Sequence, residues 1–387
     1  MAMQAIRKKA AVTGLGWTAF TRRSGTSVAN LVAQASLNAI DDAGLAVEQI
    51  DGMVGYFHRR GSDTISPRDL VEMLGVPRCD FYFFQDGGGS WNGSAILAAA
   101  MMVHSGVCKN VLVYNGRNRY SQGRKDRPQR AKEVTGRDQF IVPYGDHHAA
   151  AHFGMYATAH MARYGTTTID FAHLAVTQRN HAMLNEKAMM RKPLTIEEHQ
   201  SSRWIIYPYR LFDCCQETDG AVALVVSSAE HARDLRHNPV YVMAGIGRLA
   251  NRDSGNRREV FDAAGIEPKD VSVAEIYDNF TFMCMKHLED FGFVPEGQVG
   301  AWVREGRNGL DGDLPVNTHG GLLSEAHFMG LNHVVEAVQQ LRTEGVVDDL
   351  CGGSHTYDRS ICRQVRAPKI AFVCGVLGGS ALLLEKG

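Results

Sequence analysis

Three side chains that can transfer protons lie in the second half of this sequence, each beside a strand end or a glycine-rich turn. They are Tyr277 in EIYDNF, His327 in GGLLSEAHFMG and Cys374 in FVCGVLGG. Taken singly, a tyrosine at a strand end is usually a core residue whose hydroxyl is bonded to a neighbour. A histidine at a helix start and a thiol in an apolar strand are equally compatible with packing. A chemical role therefore requires a fold that brings the three segments together.

Two other kinds of site have weaker support. Ser90, in GGGSWNGSAIL, has a hydroxyl near a helix start, but the local sequence supplies no base to activate it as a nucleophile. The glycines around it favour a tight turn with close helix packing, a cradle for an oxyanion or thioester, or both. His148 and His152 have helical spacing, but no HExxH motif and no nearby Cys or carboxylate completes a ligand set. We therefore expect no metal.

The elements that must position these residues occur twice along the chain. The first copy contains KKAAVTGLG, 29–45, DGMVGYF, 86–106, NVLVYNG and GAVALVVSS, and the second contains PVYVMAGIG, 256–266, VAEIYDNF, 319–345, KIAFVCGV and 379–387. Each copy reads as strand, helix, strand, glycine-rich turn into helix, strand, strand. A unit of this size is too long for a solenoid repeat of ~20–50 residues. The pattern predicts two packed halves with a shared site between them.

The two copies differ by one long insertion. Residues 1–116 with 219–235 are predicted to form the N-terminal half, and 236–387 the C-terminal half. Residues 117–218 occur in the first half alone and are too many for a bare loop. We interpret them as a lid subdomain that covers the site and shapes the substrate pocket. The basic run at 117–132 is either a solvated surface or a contact for a partner or a phosphate-bearing ligand such as coenzyme A.

Local patterns indicate an α/β architecture. NVLVYNG and KIAFVCGV are short apolar runs with β-branched residues, which favour strands buried on both faces, as in parallel α/β sheets. The helices at 29–45 and 256–264 end at Gly44 and Gly265, both good C-terminal stops. Alternation of strand and helix then predicts a layered fold.

Composition excludes several classes of function. Lys and Arg total 41 against 42 Asp and Glu, so the chain has no basic field for nucleic acid. The start MAMQAIRKKAAVTG lacks an apolar signal core, and no stretch approaches ~20 uninterrupted apolar residues. We expect a cytoplasmic protein with no membrane span. The eight cysteines show no CxxC spacing, which favours reduced buried thiols over disulfides.

Four segments carry a resemblance that covers nearly the whole chain. Residues 208–226, 275–293, 314–342 and 372–384 resemble the thiolase-like branch near sterol carrier protein X. That branch includes the bacterial steroid side-chain aldolases, long described as lipid-transfer proteins. The resemblance implies a duplicated thiolase fold with five α-β-α-β-α layers and a loop domain in the first half only.

Departures from the thiolase pattern are informative. A thiolase needs a nucleophilic cysteine at the N-terminus of its first buried helix, where backbone N–H groups lower the thiol pKa. The matching stretch here, 87–97, contains no cysteine. By resemblance, His327 stands at the histidine of the Gly-His-Pro motif and Cys374 at the second, acid–base cysteine. Tyr277 replaces the asparagine of the Asn-Glu-Ala-Phe motif. The steroid aldolases also have a catalytic tyrosine there, but they differ from this chain at the histidine position.

The missing nucleophile and the resemblance together predict an acyl-CoA aldolase. A site without that cysteine can still bind a thioester and stabilise its enolate, the intermediate that thiolase and aldol chemistry share. Tyr277 would take the β-hydroxyl proton, provided that its neighbours lower a phenol pKa near ~10. His327 and backbone N–H groups would hold the thioester oxyanion. Cys374, or a second tyrosine, would protonate the enolate carbon.

The predicted substrate is a β-hydroxyacyl-CoA with a steroid side chain, cleaved to a ketone or aldehyde and a short acyl-CoA. Candidate substrate contacts are Ser90, Asn279, Gly321 and Gly375, of which Asn279 shares the strand side of Tyr277. We expect no cofactor beyond the coenzyme A of the substrate. Two alternatives stay open: an acyltransferase with a non-cysteine nucleophile, and a noncatalytic thiolase-like subunit of a lipid or acyl-CoA complex.

Assembly is predicted from the same resemblance. Thiolase-fold enzymes pair through an edge strand, since an unpaired apolar edge favours aggregation, and NVLVYNG is the candidate edge for a two-fold homodimer. The steroid aldolases also imply a small OB-fold partner, which can be joined to an enoyl-CoA hydratase. We expect two copies of each chain, with the partner near the pocket mouth formed by the lid.

Overall fold

The computed structural model describes residues 6–57, 64–121, 134–146, 148–247, 257–342, 350–351 and 357–387. Its strands are β1 (Ala10–Trp17), β2 (Gly52–Phe57), β3 (Phe81–Asp86), β4 (Asn110–Asn118), β5 (Trp204–Ile206), β6 (Tyr209–Arg210), β7 (Asp219–Ser228), β8 (Val240–Gly247), β9 (Val273–Ile276), β10 (Ile370–Cys374) and β11 (Ser380–Lys386). Its helices are α1 (Val28–Asp42), α2 (Pro67–Leu74), α3 (Asn92–His104), α4 (Ala149–Tyr164), α5 (Thr168–Met183), α6 (Ile196–Ser201), α7 (Ala229–Ala232), α8 (Glu259–Ala264), α9 (Thr281–Asp290), α10 (Val299–Arg304), α11 (Gly321–Ser324) and α12 (Leu331–Leu341). Within these ranges, no helix has the length and apolar character needed to cross a membrane.

Nine strands form one sheet in the order β3-β2-β4-β7-β1-β8-β11-β10-β9. The first five belong to the first copy of the sequence pattern and the last four to the second, which confirms the duplication. The copies meet where β1 pairs with β8 through Ala11–Tyr241 and Val12–Val240. The sheet is mixed. The two apolar runs for which the sequence predicts burial on both faces, in β4 and β10, are almost wholly buried, and each strand has a parallel neighbour. β7 and β11 run antiparallel to both of their neighbours, and only β2, β3 and β4, with β9 and β10, are parallel.

The helices form layers on both faces of this sheet. α3 and α12 lie between the two halves, where Ala99 and Val338 join one apolar cluster with Val113 and Val242. α1 and α2 cover the outer face of the first half. α8 and α9 cover the outer face of the second half, through Phe261 among others. The result is the α-β-α-β-α layering that the sequence predicts.

Local signals account for several helix ends. α1 begins where the Ser27 hydroxyl accepts a hydrogen bond from the N–H of Asn30. Gly44 and Gly265 follow α1 and α8 with φ of +72° and +70°, a left-handed conformation that glycine adopts without steric cost. Both predicted stops are confirmed.

The proposed edge strand is not an edge. β4, which contains NVLVYNG, is paired with β2 on one side and β7 on the other, so that prediction was wrong. Because β7 pairs with the side of β4 opposite β2, both sides of β4 are paired with a neighbouring strand. The first-half edge is β3, where Phe81 and Tyr82 are 48% and 62% exposed.

The predicted lid, 117–218, contains α4, α5, α6 and the β5–β6 hairpin among its described residues. It packs against the second half through polar contacts. Nε of Arg179 in α5 donates to Oγ of Ser324 in α11 at 3.0 Å. Nε2 of His160 in α4 lies 2.9 Å from Oε2 of Glu289 in α9. The boundaries of the lid as a separate unit stay a prediction.

One pair of cysteines departs from the sequence expectation. Cys351 and Cys362 form a disulfide, so the prediction that all the thiols are reduced was wrong for this pair. The two cysteines are eleven positions apart in the chain, and their spacing alone does not predict the contact. The other six cysteines are free thiols.

Candidate active site

Tyr277 and His327 are brought together between the two halves. Tyr277 directly follows β9, and His327 lies in the turn between α11 and α12. The Tyr277 hydroxyl is 3.0 Å from Nε2 of His327, a hydrogen-bond distance. Tyr277 is 3% exposed, whereas His327 is half-buried and its backbone N–H donates to Oγ1 of Thr218. The sequence thus located two groups that can exchange a proton directly.

The Tyr277 ring fills the space beside Gly89. A Cβ atom placed on Gly89 would lie 2.1 Å from Cζ and 2.1 Å from the hydroxyl oxygen of Tyr277. No side chain fits at position 89 unless the tyrosine moves. Gly89 belongs to the stretch where a thiolase carries its nucleophilic cysteine, so the tyrosine hydroxyl occupies the volume that such a side chain would need.

Asn92 holds three segments of the site in place. It is the first residue of α3 and is fully buried. Its Nδ2 donates to the carbonyl oxygens of Cys374 at 3.1 Å and Gly330 at 3.3 Å, and its Oδ1 accepts from the Ser380 hydroxyl at 2.9 Å. Sequence reasoning missed this residue. The sequence feature that could have identified it is a single amide side chain at the start of an apolar helix.

Cys374 is the last residue of β10 and has no exposed surface. Its side chain joins an apolar cluster that includes Ile276 and Phe372. Burial raises the pKa of its thiol to about 12, although the backbone N–H of Tyr277 favours the thiolate. The thiol is therefore protonated at neutral pH, and its contact with Tyr277 is made to the backbone.

Electrostatics keep Tyr277 protonated as well. Burial raises the pKa of its hydroxyl well above the ordinary value, and the neighbouring Cys215 and Asp278 raise it further. Arg117 acts in the opposite direction. The expectation that neighbours lower this pKa was wrong overall, because the loss of solvent outweighs the effect of Arg117.

Asp278 fixes the backbone near Tyr277. Its carboxylate accepts hydrogen bonds from the N–H groups of Leu322 at 2.8 Å and Leu323 at 3.4 Å. Gly321 permits this approach, because it has a φ of +64° and a Cβ there would lie 2.1 Å from Oδ2 of Asp278. Gly321 thus has a packing function in the structure, and its role as a substrate contact stays a prediction.

His333 of α12 connects the same aspartate to Tyr277. Its Nε2 lies 3.2 Å from Oδ1 of Asp278 and 3.1 Å from the carbonyl oxygen of Ile276. Its ring stacks against the Tyr277 ring, with centroids 6.2 Å apart. These contacts fix the orientation of the tyrosine ring.

Three further residues are predicted substrate contacts: Ser90, Gly375 and Asn279. The Ser90 hydroxyl donates to the carbonyl oxygen of Val376 at 3.3 Å, an arrangement without a base to activate it. A Cβ on Gly375 would lie 2.7 Å from the carbonyl oxygen of Gly89, so the two glycine-rich turns touch there. Asn279 is 8% exposed, and its Oδ1 is buried without a hydrogen-bond partner among the described residues.

A buried ionic layer lies behind the site. Nδ1 of His319 is 2.9 Å from Glu275, and its Nε2 is 3.6 Å from Glu325. Burial lowers the pKa of His319, but the charges of Glu325 and Glu275 outweigh burial and raise it to about 9. Glu325 also accepts hydrogen bonds from Asn185 and Asn332. It stands two residues before His327, so the layer anchors the turn that carries the histidine.

The histidines that suggested a metal face have other partners. Nδ1 of His152 lies 2.8 Å from Asp146, and His148 caps α4 by accepting from the N–H of Ala151. No group of three metal-ligating side chains occurs in the part of the chain that the structure describes.

Comparison with known proteins identifies the class. Residues 232–350 match the family model "Thiolase C-terminal domain-like". The structure of human mitochondrial 3-ketoacyl-CoA thiolase superimposes with a TM-score of 0.70 at 13% identity, covering 99% of each chain. The fold is that of the thiolases.

Two curated proteins and one structure give a narrower assignment. A "steroid side-chain-cleaving aldolase" of Thermomonospora curvata is 34% identical over 89% of this chain and 93% of its own. A "17-hydroxy-3-oxo-4-pregnene-20-carboxyl-CoA lyase" of Mycobacterium tuberculosis is 36% identical over 87% and 92%. A structure titled "Ltp2-ChsH2(DUF35) aldolase" matches with a TM-score of 0.86 at 31% identity, covering 98% of each chain. The chain belongs to the steroid side-chain-cleaving aldolase family of the thiolase superfamily and is a carbon–carbon lyase.

Proposed function

We propose that this enzyme cleaves the Cα–Cβ bond of a β-hydroxyacyl-CoA that carries a steroid side chain, releasing a ketone or aldehyde and a short acyl-CoA. One observation carries the proposal: the Tyr277 hydroxyl fills the space beside Gly89, where acyl transfer would need a nucleophile. The names of the two aldolase relatives support the substrate class.

Proton transfer in the proposed reaction runs through Tyr277 to His327. Because burial keeps the tyrosine protonated, it acts as a relay and not as a free phenolate. Its oxygen takes the β-hydroxyl proton of the substrate while its own proton passes to Nε2 of His327, 3.0 Å away. The Cα–Cβ electrons then move into the thioester and form an enolate, and the β-carbon becomes a carbonyl.

The enolate carbon must regain a proton to give the short acyl-CoA. We propose Cys374 as the donor, because its raised pKa keeps the thiol protonated and it contacts the Tyr277 backbone. The proton held by His327 then returns through solvent to the Cys374 thiolate, so that both side chains regain their starting protonation states. The substrate must displace side chains to reach this thiol, since Cys374 is fully buried.

Asn279 is the strongest of the proposed substrate contacts. Its buried Oδ1 lacks a partner among the described residues, and an N–H or O–H group of the substrate would satisfy it. Ser90, Gly321 and Gly375 stay in the proposed pocket as predicted. No cofactor is proposed beyond the coenzyme A of the substrate, and a cytoplasmic location stays a prediction.

We also propose assembly into a homodimer that binds a small OB-fold partner, with two copies of each chain. The exposed β3 edge with Phe81 and Tyr82 replaces NVLVYNG as the proposed dimer contact. The name of the similar "Ltp2-ChsH2(DUF35) aldolase" joins two components, which supports a partner for this chain. Fusion of that partner to an enoyl-CoA hydratase stays a prediction.

Product analysis tests the proposed reaction. Incubation with a steroid β-hydroxyacyl-CoA should release the ring ketone or aldehyde and the short acyl-CoA in equal amounts. Intact-mass spectrometry during turnover should show an unmodified chain. An acyl adduct on Ser90 or a cysteine, with no ketone released, would contradict the aldolase and favour the acyltransferase alternative.

A further inference from the structure

A buried arginine lies beside the proton-transfer pair. Arg117, in β4, is 4% exposed, so it is not part of a solvated basic surface. Side chains alternate along a strand, and Val111 and Val113 of β4 face the central layer with α3. Arg117 shares their side of the strand. It therefore points into the layer that contains Tyr277.

Contacts of the neighbouring residues place Arg117 next to the His327 turn. Arg117 pairs with Gly220 of β7, and a Cβ on Gly220 would lie 2.9 Å from the ring of Phe328. On the other side, Tyr56 of β2 donates from its hydroxyl to the carbonyl oxygen of Met329 at 3.3 Å. Arg117 thus lies in β4 between β2 and β7, two strands that each reach the residues directly after His327.

We propose that the buried Arg117 guanidinium is a positioning residue that stabilises negative charge on the Tyr277 oxygen while this oxygen takes the substrate proton. This role rests on the proposed function, in which Tyr277 is the relay. A cation in a dry site acts strongly on charge that develops nearby. Removal of the charge should therefore slow the chemical step more than it weakens substrate binding.

Three acidic groups respond to this cation in the same direction. Arg117 lowers the pKa of Tyr277, of Tyr56 and of the Cys215 thiol, each of which burial raises. Other groups that interact with the Tyr277 side chain or backbone are His327, His333, Asp278, Cys215, Tyr56, His287 and Cys374. Among the groups that act on the Tyr277 pKa, Arg117 is the cation. Arg117 therefore favours negative charge on the Tyr277 oxygen, whereas Cys215 and Asp278 disfavour it.

Cys215 supplies a reporter of this charge that does not depend on catalysis. It is half-buried, and its thiol pKa of about 12 is raised by burial and lowered by Arg117. The adjacent Cys214 is also half-buried, but the cation that acts on it is Arg203. The two thiols lie in one peptide, so Cys214 is an internal control.

The experiment compares Arg117→Met, which keeps the length without the charge, with Arg117→Lys. Alkylation of the folded protein at roughly pH 9, near the ordinary thiol pKa, is followed residue by residue by mass spectrometry. In the Met variant, Cys215 should react severalfold more slowly and Cys214 at its wild-type rate, and Lys should restore Cys215. In the cleavage assay, kcat should fall about 10-fold or more for Met with a smaller change in KM, and Lys should recover part of it.

A fluorinated tyrosine at position 277 separates a charge effect from a structural one. Fluorination makes the phenol more acidic, so it should return part of the activity lost in Arg117→Met. Unchanged Cys215 alkylation, or equal kcat losses in the Met and Lys variants, would overturn the inference. Full activity of Tyr277→Phe would overturn the proposed function instead, and the alkylation comparison would then still decide whether Arg117 supplies charge at this position.

Discussion

The two segments that lead into the central helices α3 and α12 contribute differently to the site. In the first half, 87–91 leads into α3 and contributes backbone and empty space, because Gly89 has the Tyr277 ring where a side chain would stand. In the second half, 325–330 leads into α12 and contributes His327, supported by a buried ionic layer. In the proposed mechanism, the first-half segment makes room for a strand-end hydroxyl and the second-half segment supplies the histidine that accepts its proton.

The largest expected loss of activity comes from placing a side chain at position 89. In Gly89→Ala the new methyl group must displace Tyr277, from which it would lie 2.1 Å. We expect cleavage to fall by roughly 100-fold or more, since a shift of ~1 Å can cost that much. Overpacking should also lower the free energy of unfolding by about 1–3 kcal/mol. Steady-state kinetics and denaturant unfolding measure both effects.

Gly245→Ala is the matched control, because a Cβ there would meet Leu97 and Leu382 at an ordinary 3.4 Å. It should leave the activity near wild type. Wild-type activity of Gly89→Ala would show that the Tyr277 position is not critical.

Substitution of His327 tests the second-half segment directly. Gln can hydrogen-bond to Tyr277 but cannot take up a proton, so His327→Gln should lower kcat by ~10²-fold if the relay operates. His231→Gln, in α7, is the control and should be fully active. Equal kcat values for His327→Gln and wild type would show that His327 does not take up the Tyr277 proton. They would favour its other predicted role, as a hydrogen-bond donor to the thioester.

Substitution of Cys374 tests whether its thiol is the acid that protonates the enolate carbon. Cys374→Ala should reduce turnover by roughly 10-fold and cost about 1 kcal/mol of stability from the lost buried sulfur. Cys284, wholly buried in the same apolar cluster, gives the control: Cys284→Ala should have a similar stability cost with unchanged turnover. The same turnover in both variants would argue for another acid.

The ionic layer behind the second-half segment should appear in the pH dependence of stability. The pKa of His319 is raised to about 9 in the folded chain, against ~6.5 unfolded. The folded state therefore binds the proton more tightly, and this stabilisation is complete below roughly pH 6.5 and lost as the pH rises through about 9. Thermal unfolding of the wild type should decline over that window. His319→Gln should be less stable and lack this part of the slope; an identical slope in both would contradict the charged imidazole.

Much of the fold followed from pattern. The duplication and the glycine stops of α1 and α8 could be predicted from local sequence, and the resemblance to the thiolases implied that Tyr277 and His327 lie in one site. The edge position could not be predicted for β4, since strand order depends on how β7 returns.

The roles of Asn92 and Arg117 could not be predicted from the sequence for a related reason. Both are single polar residues in apolar elements, and their meaning comes from long-range contacts: Asn92 bonds to residues more than two hundred positions away in sequence. The raised pKa of Tyr277 could not be predicted from the sequence either, because desolvation depends on how completely the two halves enclose the ring.

The most direct test of the account is the turnover of Tyr277→Phe. The substitution keeps the ring that packs on His333 and removes only the hydroxyl beside His327, so unfolding should change little. Under the account, kcat for cleavage of a steroid β-hydroxyacyl-CoA falls by roughly 10²-fold or more while substrate binding persists. A folded Tyr277→Phe protein that turns over at the wild-type rate would contradict it.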